Sequence, residues 1–277
     1  MDFEIGYAKF VIEALKEASG IANRNFKKVK SVSVKQGDNN QVLTETDLEI
    51  GSFLIEKISR FYPDHNIIDE EAGVINKNSD YTWVIDPIDG TSNFASQTPL
   101  YGIIIGLLHK AFPMFGGIAL PFFNEIIIAE KGKGAYCNRE RMSVSKENRL
   151  LSSLVAYGID GYQNDPGKTH NECKILSDII LSIRSLRMAG SVFDGVMVAK
   201  GRYGAFLNKT SKIWDNVGQQ IIIEEAGGIY TDFFGYAIDY SNPLNRIGEN
   251  FTFCAGAPEL HKHLQEIIHK NGCPSFV

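Results

Sequence analysis

Apolar residues recur at three- and four-residue intervals from Phe3 to Lys27 and again from about Leu48 to Phe61. That spacing predicts two amphipathic helices, the second with a capping start in "TETD" and a stop before Pro63. From Asn66 to Arg141 the period changes. Short runs rich in Ile, Tyr and Phe ("HNIID", "YTWVID", "YGIIIGLL", "PMFGGIAL", "EIIIAE", "GAYCN") follow one another between turn residues. Their connections are too short for helical crossovers, so they predict a multistranded, largely antiparallel sheet.

Beyond Leu150 strands and helices alternate. "SSLVAYG", "SIRSLR", "YGAFLN" and "FTFCAGA" read as strands. Asn171–Leu181, Ser191–Lys200, Asp215–Ala226 and Pro258–Lys270 read as helices. Alternation of this kind implies an α/β half. The predicted fold class is therefore α/β: an α+β N-terminal subdomain, 1–146, joined to an α/β C-terminal subdomain, 147–277. The boundary falls where "MSVSKENRL" turns polar. No linker, low-complexity tract or internal repeat interrupts the chain.

Composition changes this picture little. With 277 residues, 44% hydrophobic and 22% charged, the chain can bury one large core or two subdomains that share an interface. A net charge of -5 gives no basic groove for a nucleic acid, and "KKVK" at Lys27–Lys30 reads as a solvated helix end. Cys137, Cys173, Cys254 and Cys273 are widely spaced and form no CxxC pair, which points to a reducing cytoplasm. The acidic, amphipathic N-terminus is unlike a signal peptide. Tyr101–Phe123 is broken by His109, Lys110, Pro113 and Gly116-Gly117, so no apolar run reaches the roughly 18 residues of a membrane span.

The chemistry gathers at "WVIDPIDGTSNF", Trp83–Phe94. Asp86 and Asp89 flank a proline that cannot extend a strand ladder, which predicts a turn aiming both carboxylates one way. Gly90-Thr91-Ser92 reads as a helix opening, whose unpaired N–H groups favour an anion. Acids beside an anion site repel the anion unless hard cations sit between them. The competing reading is an Asx-rich loop with Asp89 or Thr91 as a helix cap. Other acids support the first reading. "IIDEEAG" offers Glu70 and Glu71, "LTETD" places Thr44 and Asp47 at a helix start, and Asp215 opens another helix. "EEAG" occurs twice, and the second copy, with Glu224 and Glu225, reads as an ordinary helix end.

"DPIDGTSNF", preceded by "DEEAG" and followed by "WDNVGQQIIIEEAGG", resembles the inositol monophosphatase family of metal-dependent, lithium-sensitive sugar phosphatases. "LTETD" and "VAKGRYGAFL" extend the resemblance over nearly the whole chain. It implies a layered αβαβα fold, usually dimeric, that hydrolyses a phosphate monoester with two or three Mg²⁺ ions, Mn²⁺ being an alternative. Glu70, Asp86 and the carbonyl of Ile88 resemble ligands of a first ion, with Asp86, Asp89 and Asp215 holding a second. Glu70 would also touch a third. Thr91 matches the residue that positions the attacking water with Glu70, and Asp47 and Thr44 match its supports. Asp89, Gly90, Thr91 and Asp215 would face the substrate phosphate. Hard oxygen ligands agree with Mg²⁺ rather than zinc.

Departures from the family lie in the substrate half. Gln41 and Asn208 stand where animal members carry acids, and "RMAGS", Arg187–Ser191, which ends in Ala189, Gly190 and Ser191, replaces a "GTAA"-like loop. Asn208 and that loop are expected to line the sugar pocket, with Arg184 and Arg187 as cations for any second phosphate. The expected function is a phosphomonoesterase acting on inositol monophosphate or a similar polyol phosphate. Alternatives are fructose-1,6-bisphosphate, histidinol phosphate, 3′-phosphoadenosine-5′-phosphate or NADP(H), or a metal-binding regulatory module without turnover. The expected partners are the small-molecule substrate and a second copy of the chain, with no nucleic acid and no membrane. His261 and His263 read as surface residues, His65 and His109 as loop residues, and Cys137 as a small buried residue.

Overall fold

A computed structural model describes residues 1–28, 33–34 and 42–271. Gln41, Cys273 and the end of "KKVK" lie outside the described residues. Helix α1 (Gly6–Asn25) buries Ala8, Val11, Leu15, Ala18 and Ala22, the stripe its spacing predicts. Helix α2 (Glu45–Phe61) starts before Leu48 because Asp47 Oδ2 accepts from the Thr44 amide at 3.0 Å, a cap that closes its first turn.

A short ribbon, β1 (Ser33–Val34) with β2 (Val42–Leu43), precedes α2. The large sheet comprises β3 (Asn66–Asp69), β4 (Gly73–Ile75), β5 (Tyr81–Asp89), β6 (Gly102–His109), β7 (Phe112–Leu120), β8 (Glu125–Glu130), β9 (Gly134–Cys137) and β10 (Glu140–Arg141). Its order is β10-β9-β8-β7-β6-β5-β3-β4, antiparallel except for β3 beside β5. The second sheet is formed by β11 (Leu154–Gly158), β12 (Ser185–Arg187), β13 (Ala205–Asn208), β14 (Ile229–Thr231) and β15 (Phe253–Gly256) in the order β12-β11-β13-β15-β14. The remaining helices are α3 (Thr91–Ala95), α4 (Pro166–Ser182), α5 (Val192–Ala199), α6 (Ile213–Glu225) and α7 (Pro258–Lys270).

The layers follow from which faces are apolar. Strand β6 is buried on both faces from Gly102 to Leu108, because α1 covers one side of the large sheet and α6 the other. Helices α5 and α6 also pack on the second sheet, whose far side carries α7 with α4 beside it. This is the α/β layering expected, and the second sheet is mixed, with β15 antiparallel to β13 and β14. Three local expectations are corrected. Strand β5 runs through Pro87 to Asp89 instead of turning at the proline, absorbing it in a register shift between Asp86 and Asp89. His261 is buried, because α7 turns it with Leu260 and Leu264 onto the sheet, where its Nε2 lies 2.9 Å from Thr231 Oγ1. Cys137 is only half-buried, since β9 lies next to the edge of its sheet. His109 ends β6, stacked on Tyr81, and His65 stacks on the other side among Tyr62 and Tyr81. Among the described residues no helix is long and apolar enough to cross a membrane.

Helix α6 reaches the large sheet through glycine. A Cβ on Gly116 would lie 2.4 Å from the carbonyl oxygen of Gly218, and one on Gly106 would lie 2.8 Å from the Gly218 nitrogen. Backbone cannot yield to such contacts as a side-chain tip can. Gly116→Ala should therefore destabilise the protein by about 1–3 kcal/mol, the usual range for overpacking. A thermal melt checks this: a Tm lower by several degrees is expected, and an unchanged Tm would contradict the close seating of α6.

Candidate active site

Three acids from two elements meet at the junction of the sheets. Asp86 and Asp89 come from the end of β5, and Asp215 from the first turn of α6. Oxygens of the three carboxylates all lie within 4.8 Å of one another. The β5 irregularity at Pro87 lets Asp86 and Asp89 approach together. Asp89 is fixed by the amide of Val192, at the start of α5, and Asp215 Oδ2 accepts from the Lys212 amide at 2.5 Å. Gly90 links β5 to α3 with φ of 85°, a left-handed conformation that glycine adopts freely. It also passes so close to Ser191 that a Cβ there would sit 2.7 Å from the serine Cβ.

Burial and mutual repulsion push all three carboxyls upward. For Asp86 the largest cause is burial, followed by the charges of Glu70, Asp89 and Asp215. Asp89 is raised by burial and then by Asp215, against the opposing Val192 amide. Asp215 is pushed up from 3.8 to about 7 by burial and by Glu70. One oxygen of Asp86, Oδ1, is buried without a hydrogen-bond partner. An all-oxygen set of crowded carboxylates with an orphaned buried oxygen fits a hard divalent cation and not zinc.

Beside the triad lies the Thr91 hydroxyl, 2.8 Å from the Ile88 carbonyl and 3.1 Å from Asp47 Oδ1. Asp47 is buried beneath it and also accepts from the Thr44 hydroxyl. Burial pushes its carboxyl to about 6, while bonds from Thr44 and Thr91 pull the other way. Glu70 follows β3, and its amide donates to the Ile85 carbonyl at 3.2 Å. The turn after it is held by Asp69 Oδ1, which accepts from the amides of Glu71 and Ala72 at 3.0 and 2.8 Å.

A cavity of about 330 Å³ opens over these groups, lined by Glu70, Asp86, Ile88, Asp89, Gly90, Thr91 and Asp215 together with Ala189, Gly190 and Asn208. Ser191 is outside that lining but lines a smaller adjoining cavity with Asp89, Gly190, Asn208 and Asp215. Its hydroxyl donates to the Leu100 carbonyl at 2.9 Å and accepts from the Phe193 amide at 3.2 Å, capping α5. Asn208 lines the cavity while holding its own loop, its Oδ1 accepting from the Thr210 amide at 2.6 Å. Arg187 is exposed and donates to Ser185 Oγ and the Leu186 carbonyl. Neither it nor Arg184 lines the cavity.

Four residues that sequence reasoning passed over belong here. Asn93 Nδ2 bonds the carbonyls of Leu100 and Ala189, each at 2.7 Å, joining α3 to the loop from the other sheet. Buried Asp194 accepts from the Ala189 amide at 3.0 Å, and burial lifts its carboxyl to about 6. Asp160 and Lys212 line the cavity from two further loops. The asparagine in "GTSNF" was visible as part of the motif, whereas the other three carry no local signal. Glu225 accepts from the amides of Gly132 and Gly134, each at 2.7 Å, so the second "EEAG" is a structural brace.

Comparison with known proteins agrees with this geometry. The model of the inositol monophosphatase family matches residues 6–272. A fructose-1,6-bisphosphatase/inositol-1-monophosphatase of Thermotoga maritima is 32% identical over 266 residues, covering 95% of this chain and 97% of that protein. The Nus factor SuhB of Escherichia coli is 30% identical over 234 residues, covering 81% and 84%. Among solved structures, an inositol monophosphatase of Thermotoga maritima superposes with a TM-score of 0.81 at 28% identity, covering 95% of this chain and 96% of that one. A carboxylate cluster on β5 and α6, inside a fold shared over nearly its whole length, places this chain in the inositol monophosphatase family of phosphatases.

Proposed function

We propose that this chain is a Mg²⁺-dependent phosphomonoesterase that hydrolyses inositol monophosphate or a similar small polyol phosphate. Glu70, Asp86, the Ile88 carbonyl, Asp89 and Asp215 would hold two or three ions, with Mn²⁺ as an alternative to Mg²⁺. The observation that carries this reading is the Asp86/Asp89/Asp215 cluster at the floor of the cavity. When bound, the ions supply a lower pKa for the attacking water and neutralise charge on the leaving oxygen.

The chain's own groups do the positioning. The Thr91 hydroxyl carries one proton and has two acceptors in reach, Ile88 O and Asp47 Oδ1. If the Ile88 carbonyl held an ion, that proton would go to Asp47 and leave the lone pairs of Oγ1 to accept from the water. Asp47 is steadied by Thr44, and a carboxyl near 6 can take up a proton passed through Thr91 close to neutral pH. The first N–H groups of α3 have no intrahelical acceptor and would face the phosphate. Ala189, Gly190 and Asn208 would surround the departing alcohol, with Ser191 backing Gly90 rather than touching it.

Relatives named as Nus factors favour a second reading, a regulatory module that binds metal without turnover. Such a module has no use for Thr91 poised between Asp47 and Ile88 beside Glu70, and all of these groups are in place. We place the protein in the cytoplasm on its cysteine spacing. Exposed Phe122 and Phe123 leave an apolar surface for a homodimer, which sedimentation would detect.

Phosphate release should vanish in excess EDTA and return with Mg²⁺. Asp86→Asn, Asp89→Asn and Asp215→Asn should each lower turnover by orders of magnitude. Lithium at millimolar concentration and limiting Mg²⁺ should inhibit the wild type, and a flat curve would remove lithium sensitivity from the reading. Undiminished release in EDTA would remove the metal mechanism.

A second prediction comes from the raised carboxyls. With no ion bound, the folded cluster keeps protons that the unfolded chain has already released above its ordinary carboxylate range. Its contribution to stability is complete below that range, where both states are protonated, and is lost as pH rises through about 7. Metal-free protein should therefore gain more Tm from added Mg²⁺ at pH 8 than at pH 5. Asp86→Asn should raise the metal-free Tm at pH 8 while abolishing activity. Equal gains at both pH values would contradict the crowding of the three acids.

A further inference from the structure

The floor of the cavity serves the phosphate, but its rim has its own chemistry. Asp160 lies in the loop between β11 and α4, and Thr210 in the loop between β13 and α6. The two loops meet where Thr210 Oγ1 donates to Asp160 Oδ2 at 2.6 Å, a bond between residues fifty positions apart in the chain. Thr210 is itself seated by Asn208, whose Oδ1 takes the Thr210 amide at 2.6 Å. Behind the Asp160 loop, the Tyr162 amide donates to Thr169 Oγ1 at 2.8 Å, fastening it to α4. Asp160 is thus an exposed carboxylate held on the cavity wall by a fixed hydroxyl.

Its neighbours on that wall are Asn208, Thr210 and Ser211, all uncharged, and Lys212, whose ammonium donates to the Gly248 carbonyl at 2.9 Å. An ionised carboxylate only accepts hydrogen bonds, and its bonds from hydroxyls are of the strong, charge-assisted kind. It also repels a second anion brought to the same wall.

We propose that Asp160, positioned by Thr210, selects the leaving group: it accepts hydroxyls of a departing polyol and disfavours substrates with a second phosphate. This rests on the phosphatase reading of the cavity and narrows it to monophosphates of hydroxyl-rich alcohols. Asp160 is a specificity residue here, with no part in the attack on phosphorus.

The test compares kcat/KM for myo-inositol 1-phosphate and fructose 1,6-bisphosphate in Mg²⁺, using wild type, Asp160→Asn and Thr210→Val. Hydrolysis of p-nitrophenyl phosphate, whose leaving group has neither hydroxyls nor a second phosphate, normalises the three proteins. Asparagine keeps the acceptor for Thr210 and removes only the charge. The ratio of bisphosphate to monophosphate kcat/KM should rise by about 10-fold in Asp160→Asn, a screened charge–charge effect that shrinks in high salt. Thr210→Val should move the ratio the same way by a smaller factor, through loss of position alone. A ratio unchanged in both variants, with phosphate still released, overturns the role of Asp160 and leaves the phosphatase reading standing. Failure of the wild type to release phosphate from all three compounds overturns both.

Discussion

Repulsion among crowded carboxylates is the constraint around which this molecule is arranged. Asp86, Asp89 and Asp215 stand close enough that, without a counter-charge, they hold protons more tightly than free carboxyls do. No single element would fold stably with such a cluster on its own surface. The chain divides the acids between β5 and α6 and brings them together only when the two sheets pack on α6. Each acid is then restrained separately: Asp89 by the Val192 amide and Asp215 by that of Lys212. Folding thus assembles a strongly electronegative point whose oxygens suit a hard cation.

Hydroxyl, amide and carboxyl groups around that point translate it into geometry. Thr91, Asp47 and Thr44 form a short series from the cavity into the capped start of α2. Asn93 and Asp194 do the equivalent for the loop at Ala189 from opposite sides, one through its carbonyl and the other through its amide. The loop backbone is therefore occupied by internal partners. The side chains of Asn208, Thr210 and Asp160 line the cavity further out.

The chemistry was legible in the sequence wherever it is local. Asp86, Asp89, Gly90 and Thr91 fall in one unbroken segment, and Asp47 and Asp215 each sit in the first turn of a helix whose apolar period is plain. What stayed hidden depends on topology. Asp160 and Thr210 sit in polar loops without periodicity, and only the parallel pairing of β11 with β13 brings those loops side by side. Three-residue strands such as β4 and β14 are too short for alternation to register. His261 was misjudged because the HxH pair was weighed as a pair. Taken singly, it falls beside Leu260 on the buried face of α7. Pro87 misled for a different reason: its missing N–H forbids a regular ladder, but a register shift accommodates it inside a strand.

The glycine seam under α6 ties the carboxylate cluster to the packing of the large sheet. Gly218 touches the backbone of the large sheet, and Asp215 lies three residues earlier on the same rigid helix, a rise of about 4.5 Å. Any side chain that wedged this contact open would carry the acid with it, since a helix moves as a rod. Catalytic rate would then act as a gauge of fit at a dry interface that substrate never reaches. The freedom of Gly106, Gly116 and Gly218 to vary is bounded by the tolerance of the carboxylate cluster, a tighter limit than stability alone would set.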